Sequence, residues 1–160
     1  MPDHTTALPK TIAVARIATG VLFLLFGEYK VAGREFAHTG FTQYLHGYIQ
    51  DAALGFYRPF LAQVVLPHVV FFGYFVGILE LLIGLALVVG LWVRPASVTG
   101  AVFLLNLLFA TWWEPGHGVP VWRYFGAELD KIPLILLFLI FYAADAGATW
   151  GVDGFWRPPV

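Results

Sequence analysis

The sequence predicts an all-α membrane protein: an antiparallel bundle of four transmembrane helices, with interfacial helices in its first long loop. Three observations predict it. Hydrophobic residues make up 59% of the 160 and charged ones 12%, with a mean hydropathy of +0.77, whereas a soluble domain carries about 25% charge. Residues 69–90, VVFFGYFVGILELLIGLALVVG, form an apolar run with one ionisable residue, Glu80, at its centre. As a helix that run is roughly 33 Å long, enough to cross a hydrocarbon core. Three further apolar stretches of similar length are separated by turn signals. The length fits one domain over 1–160.

The first helix is predicted over 11–30, with Pro9 as its start signal. Arg16, Gly20, Phe23, Gly27 and Lys30 fall on one face, a small and polar inner stripe. The preceding MPDHTTALPK has no small-x-small cleavage site and reads as a short tail before a retained helix. Residues 32–68 are too long a connection to be structureless. Phe41, Tyr44, Leu45, Tyr48, Ile49 and Ala52 keep a 3-and-4 spacing, and Phe56, Phe60, Leu61, Val64 and Val65 suggest a second short helix with Pro59 in its first turn. Neither piece is long enough to span, so 41–66 is expected to form an interfacial lid over one mouth of the bundle, its tyrosines at headgroup level.

The second helix covers 69–90. Gly73, Gly77, Glu80 and Gly84 lie at i, i+4, i+7 and i+11, so the acid shares a stripe with three glycines that allow close helix approach. The connection LWVRP sends the third helix, 95–113, back antiparallel, with Asn106 past its midpoint and Trp112 and Trp113 at the interface. A second loop on the lid side is punctuated by Pro115, Gly116, Gly118 and Pro120. The fourth helix is predicted over 130–148, with Pro133 in its first turn and Asp145 towards its end. Both termini then lie on one side and both longer loops on the other. Lys10, Arg16, Arg94 and Arg157 fall on the termini side, and Lys30, Arg34, Arg58, Arg123 and Lys131 on the lid side. Counting positive charge therefore does not orient the chain; the termini are taken as cytoplasmic.

Composition also excludes function classes. Without cysteine there is no disulfide, thiolate metal site or thiol relay. A formal net charge of -1 gives no basic footprint for nucleic acid. His38, His46, His68 and His117 fall on the lid side, but no HxxxH or comparable pair marks a metal site.

The polar residues inside the spans are the candidate site. Counting helical rise, Glu80 and Asn106 both lie within about 3 Å of the midplane, and Arg16 and Asp145 roughly 8 Å below it. Matching depth predicts a Glu80–Asn106 contact and an Arg16–Asp145 ion pair tying the first helix to the fourth. An intramembrane acid is a functional suspect; the plainer alternative is an interhelical bond that fixes packing, and for Arg16–Asp145 the plainer alternative is preferred. Nearer the lid, Glu28, Lys30, Asp130 and Lys131 form a second polar layer. Trp112, Trp113, Trp122, Tyr124 and His117 are expected at the lid-side mouth. They form either a slot for an isoprenoid quinone or lipid or an ordinary interfacial aromatic belt.

Several segments together carry a resemblance. RIATGVLFLLFGEYK resembles the first helix of DoxX-like proteins, with Arg16, Gly20, Gly27 and Lys30 at the family spacing. GFTQYL (40–45), GILELLIGLALVVGLWVRPAS (77–97) and GATWGVDGFW (147–156) are similar to the family's lid segment, second helix with its basic turn, and ending. By position the resemblance carries over Arg16, Lys30, Glu80 and Asp153. The long second loop and Asn106 depart from the family pattern. The resemblance implies a four-helix bacterial inner-membrane protein of the DoxX/DoxD group, in which some members are subunits of thiosulfate:quinone oxidoreductase and others belong to redox-stress complexes. The four-helix vitamin K epoxide reductase type would need cysteines that are absent.

The function expected on these grounds is a small accessory or anchor subunit of a membrane redox complex. It would lie in membrane lipid beside other subunits or copies of itself and contact quinone at the lid-side mouth. In that case Glu80 accepts a proton or bonds the quinone head, and Arg16 sets its charge. The sequence carries no complete catalytic constellation. The alternatives are a purely structural subunit without ligand and a transporter of a small lipophilic substrate; the absence of an internal repeat weighs against the transporter.

Overall fold

The computed structural model describes residues 4–112 and 130–156. Every regular element among them is helical. Helix α1 runs His4–Ala32, starting seven residues before the sequence suggested. Pro9 lies inside it, near enough to the start that its missing N–H forfeits little of the backbone ladder.

The lid begins with a π turn, Phe36–Gly40, followed by α2, Phe41–Gly47, and a second π turn, Tyr48–Ala52. Its next part departs from expectation. The short helix α3, Arg58–Phe60, a π turn Leu61–Val65 and a 3-10 turn Leu66–His68 lead into α4, Val69–Val89. Together they make one helical run, Arg58–Val89, of 32 residues. Pro67 does not end the helix, because it sits at the start of the 3-10 turn, where a missing N–H is tolerated. The bend falls at His68, whose φ of -118° and ψ of 32° leave the helical region. The second lid piece is thus an extension of the second membrane helix.

Helix α4 stops at Gly90, which takes the left-handed conformation at φ 73° that glycine adopts readily. The N–H groups of Gly90 and Leu91 both bond the Ala86 carbonyl, which closes the helix end. Helix α5 is Val93–Thr111 and α6 is Lys131–Ala143. The helix expected to continue to residue 148 ends at Ala143; Ala144–Gly147 is a turn in which Asp145 takes φ 52°.

Glycines decide which helices meet. Gly73, Gly77, Glu80 and Gly84 form the buried stripe of α4, and it lies against the stripe of α1. A Cβ on Gly84 would come within 2.8 Å of the Gly20 carbonyl oxygen, and one on Gly27 within 2.8 Å of the Gly77 carbonyl oxygen. The pairs Gly20–Gly84 and Gly27–Gly77 run in opposite directions, so α1 and α4 are antiparallel. Small residues bring the two backbones together and let dispersion do the work that the hydrophobic effect cannot do in lipid. Phe23, Phe103, Phe138 and Phe141 fill the space among α1, α5 and α6 with Leu87 and Ile83 of α4. The Phe23 and Phe138 rings meet edge to face at 5.4 Å, a favoured aromatic geometry.

A smaller core of Leu45, Ala53, Leu61, Val65 and Ala110 seats the lid on the end of α5. The Leu54 N–H donates to the Phe109 carbonyl at 3.0 Å, which pins the lid by its backbone. Leucine, valine and phenylalanine side chains cover the outside: Leu22, Leu25, Phe71, Leu82, Leu85, Val102 and Leu139 are all exposed. Such a surface suits hydrocarbon, and Ala7–Ala32, Arg58–Val89 and Val93–Thr111 are each long and apolar enough to cross a membrane. Helix α6, at 13 residues, is apolar but shorter.

Candidate functional site

The structure gives each intramembrane polar residue a partner different from the one its depth suggested. Glu80 does not meet Asn106. Its Oε1 accepts from the Lys30 ammonium of α1, forming a buried ion pair. The stripe geometry explains this. Lys30 and Glu80 sit on the two faces that the glycines press together, so the lysine needs only its own length to reach the acid. Glu80 Oε2 is buried and has no hydrogen-bond partner among the described residues. Lys30 also lies 5.5 Å from the centre of the Phe36 ring, within cation–π range.

Asn106 faces the other way. Its Nδ2 donates to the Val102 carbonyl at 2.9 Å, one turn back, and its Oδ1 accepts from the Tyr57 hydroxyl at 2.6 Å. Tyr57 belongs to the lid, so the bond latches lid to α5. Burial pushes the Tyr57 phenol above its ordinary pKa.

The expected Arg16–Asp145 bridge is also replaced. Arg16 is fully buried, and its guanidinium donates to carbonyls: Leu87 at 2.7 Å, Trp150 at 3.0 Å and Thr149 at 3.4 Å. Asp145 is turned out of the helix by its left-handed backbone and lies 3.5 Å from the Arg94 side chain instead. Arg16 therefore anchors the C-terminal tail to the end of α4. Asp153 completes this knot, its carboxylate accepting from the Trp92 and Val93 N–H groups at 2.8 and 2.9 Å at the start of α5. Those N–H groups open a helix and have no partner within it. Arg16 and Asp153, carried over by resemblance, thus build the termini side of the fold.

A feature with room for a ligand lies on the lid side. A cavity of about 1010 Å³ opens between the lid, α1, α4, α5 and the start of α6. Its wall is mostly aromatic and aliphatic, with Phe26, Phe41, Phe72, Phe75, Phe103 and Leu79 among its members. Its charged and amide groups among the described residues are Lys30, Asn106, which is bonded to Tyr57, and Asp130 with Lys131, which bond each other at 3.0 Å; hydroxyl-bearing Tyr29, Tyr44, Tyr48, Thr99 and Thr111 also belong to the lining. Lys30, rather than Glu80, is the member of the central ion pair on the wall.

Of the residues expected at the mouth, Trp112 caps the C-terminal end of α5; Trp113, His117, Trp122 and Tyr124 lie outside the described residues. Sequence reasoning placed Lys30 and Asn106 among the candidates but missed Tyr57. Tyr57 falls outside the lid's 3-and-4 spacing over 41–52, so that periodicity does not mark it.

No curated protein and no solved structure matches the chain. The DoxX family profile matches residues 11–113, from the first membrane helix through the lid to the end of the third. That stretch contains the glycine stripes of α1 and α4, the buried arginine, the Lys30–Glu80 pair and most of the cavity wall. With three helices fit to cross a bilayer and well over half its length matched, this integral membrane protein belongs to the DoxX family.

Proposed function

We propose that the chain is a small accessory or anchor subunit of a membrane redox complex and that it holds a quinone in the cavity beneath the lid. On this reading α6 and the segment around it complete a fourth span of an antiparallel bundle in a bacterial inner membrane, with both termini cytoplasmic. The cavity is the observation that carries the proposal. It is large, walled mostly by aromatic and aliphatic side chains and interrupted by polar groups, the usual composition of a small-molecule site. A bound quinone would supply two-electron, two-proton redox chemistry. The chain's part is to enclose and orient it, with Phe26, Phe41 and Phe103 offering flat apolar contact. Lys30 presents N–H donors on the wall, and Glu80 fixes their position and balances their charge. That role falls to Lys30 rather than to Arg16, whose bonds lie at the opposite end of α4.

Extraction of quinone from the protein purified out of native membranes in mild detergent tests this directly. Near-stoichiometric isoprenoid quinone is expected. Val102→Trp, which places an indole into the cavity from an exposed position of α5, is expected to lose it while still folding. Glu80→Gln is expected to retain the bundle and lower electron transfer in the native complex. A stable protein that carries no quinone would overturn the proposal.

That result would leave a purely structural subunit. One observation favours this second reading: Arg16, Asp153 and Lys30 all bond groups of the chain itself, as they would if they served only to fix helix order.

A further inference from the structure

Tyr57 enters the cavity wall from the lid, and Asn106 enters it from α5. The Tyr57 ring is fixed by its aromatic neighbours: Phe60 lies 5.2 Å from it and Phe109 5.8 Å, centre to centre. The hydroxyl is thereby aimed at Asn106. A carboxamide carries two N–H donors, and a phenol oxygen both donates and accepts. The Asn106 amide spends one N–H on Val102 and its oxygen on Tyr57, while the phenol spends its proton on Asn106. Among the described residues, one amide N–H and one phenol lone pair remain on two neighbouring groups of a mostly apolar wall.

The charges on that wall set a second condition. Among the described residues, Lys30 is matched by Glu80 and Lys131 lies against Asp130, so each lysine of the described wall has an acid beside it. A charged head placed there would lose its hydration without meeting an uncompensated counter-ion. The wall residues on α5 run from Thr99 to Thr111, about 18 Å of helix, which exceeds what a ring head alone would occupy.

We infer that Tyr57 and Asn106 form the head-group seat of the cavity, and that the seat takes an uncharged, ring-headed lipophile bearing carbonyl or hydroxyl oxygen. The inference rests on the cavity reading above and adds which end of the cavity reads the ligand. A carbonyl head accepts the free Asn106 N–H. A hydroxyl head donates to the Tyr57 oxygen. The oxidised and reduced forms of a quinone therefore seat on the same pair without a charge moving. The apolar remainder lies along Val102, Phe103 and Thr99 of α5 towards Leu25 and Phe26 of α1.

Binding to the full chain in nanodiscs, with empty nanodiscs as the blank, tests the seat. Decylbenzoquinone is followed by quenching of tryptophan emission, diphenylhexatriene by its own fluorescence, and laurate by displacement of diphenylhexatriene. Tyr57→Phe and Asn106→Leu are each expected to weaken decylbenzoquinone about 5- to 30-fold, the effect of one buried hydrogen bond. Diphenylhexatriene, which has no polar head, is expected to bind wild type and variants alike. Laurate is expected to bind wild type about tenfold or more weaker than the quinone, consistent with the penalty for burying an unpaired charge. Unchanged quinone affinity in both variants overturns the seat and leaves the cavity reading standing. Loss of both probes from the variants marks a purely structural latch and also overturns it. Laurate binding as tight as the quinone removes the neutral-head requirement. A wild-type chain that takes neither quinone nor diphenylhexatriene overturns the seat and the cavity reading together.

Discussion

Lys30 of α1 and Glu80 of α4 form an ion pair inside the seam where two backbones pack glycine against glycine, and both side chains are largely withdrawn from solvent. Desolvation makes such a pair costly to form and costlier to break on one side. Lys30→Met strands the Glu80 carboxylate and is expected to cost about 3–5 kcal/mol. The double variant Lys30→Met, Glu80→Leu removes both charges and is expected to recover most of that loss. Thermal unfolding in detergent distinguishes the cases. A double variant as unstable as the two single changes added together would show that the pair is not coupled.

The glycine seam predicts a position-specific response to one methyl group. Gly84→Ala places a Cβ 2.8 Å from the Gly20 carbonyl oxygen, so the helices must part, at about 1–3 kcal/mol. Gly47→Ala in α2 meets nothing within 4 Å and should be neutral or stabilising by up to about 1 kcal/mol from helix propensity. Melting temperatures of the two variants should therefore move in opposite directions, or the Gly47 variant should not move.

Arg16 predicts a change at a distance in sequence. Its guanidinium holds carbonyls at Leu87, Thr149 and Trp150. Lysine keeps the charge but cannot present the planar fork. Arg16→Lys is expected to destabilise the fold by about 2 kcal/mol or more and to expose the tail. Limited proteolysis should show faster cleavage near residues 148–156 in the variant than in wild type, with α1 itself intact.

Asp153 predicts a helix-cap effect. Asp153→Ala leaves the Trp92 and Val93 N–H groups unbonded and should cost about 1–2 kcal/mol. Asp153→Asn keeps one good acceptor and should cost less. Equal losses in the two variants would show that the carboxylate acts through charge alone.

Tyr57 carries the pH dependence. Its phenol is held above the ordinary value by burial. The folded form therefore keeps this proton to higher pH than the unfolded chain does. Stability from this group is complete below the unfolded value near 10, and is lost as pH rises through the higher folded one. Ultraviolet difference titration of wild type against Tyr57→Phe should show one tyrosine that ionises late.

The helices and their inner faces were legible in the sequence because periodicity and composition act locally. The stripes Gly73, Gly77, Glu80, Gly84 and Arg16, Gly20, Phe23, Gly27 are buried as their spacing predicts. Partner choice was not legible. Depth matching paired Glu80 with Asn106, but depth fixes height in the bilayer and not which way a side chain points around its helix. The glycine stripes carried that missing angle, since they turn Glu80 towards α1. The Arg16–Asp145 expectation failed for another reason: the backbone at Asp145 leaves the helix. Asp145 and Trp150 both take positive φ, a conformation open to aspartate more than to most side chains but uncommon for tryptophan, and neither residue type by itself marks a helix end.

The π turn at Leu61–Val65 has a consequence for how this chain tolerates changes in length. A π turn holds one residue more than an α turn, so deleting a single residue there would relax it to ordinary helix. The segment before it would then rotate by about 100° around the rod. Leu61 would swing off the seat it shares with Leu45 and Ala110, while the glycine seam below stayed in phase. One helical rod serves two partners because the extra residue separates their registers. A loss of one residue at 61–65 should therefore loosen the lid from α5 while α1 and α4 stay paired, which cross-linking across each contact would show.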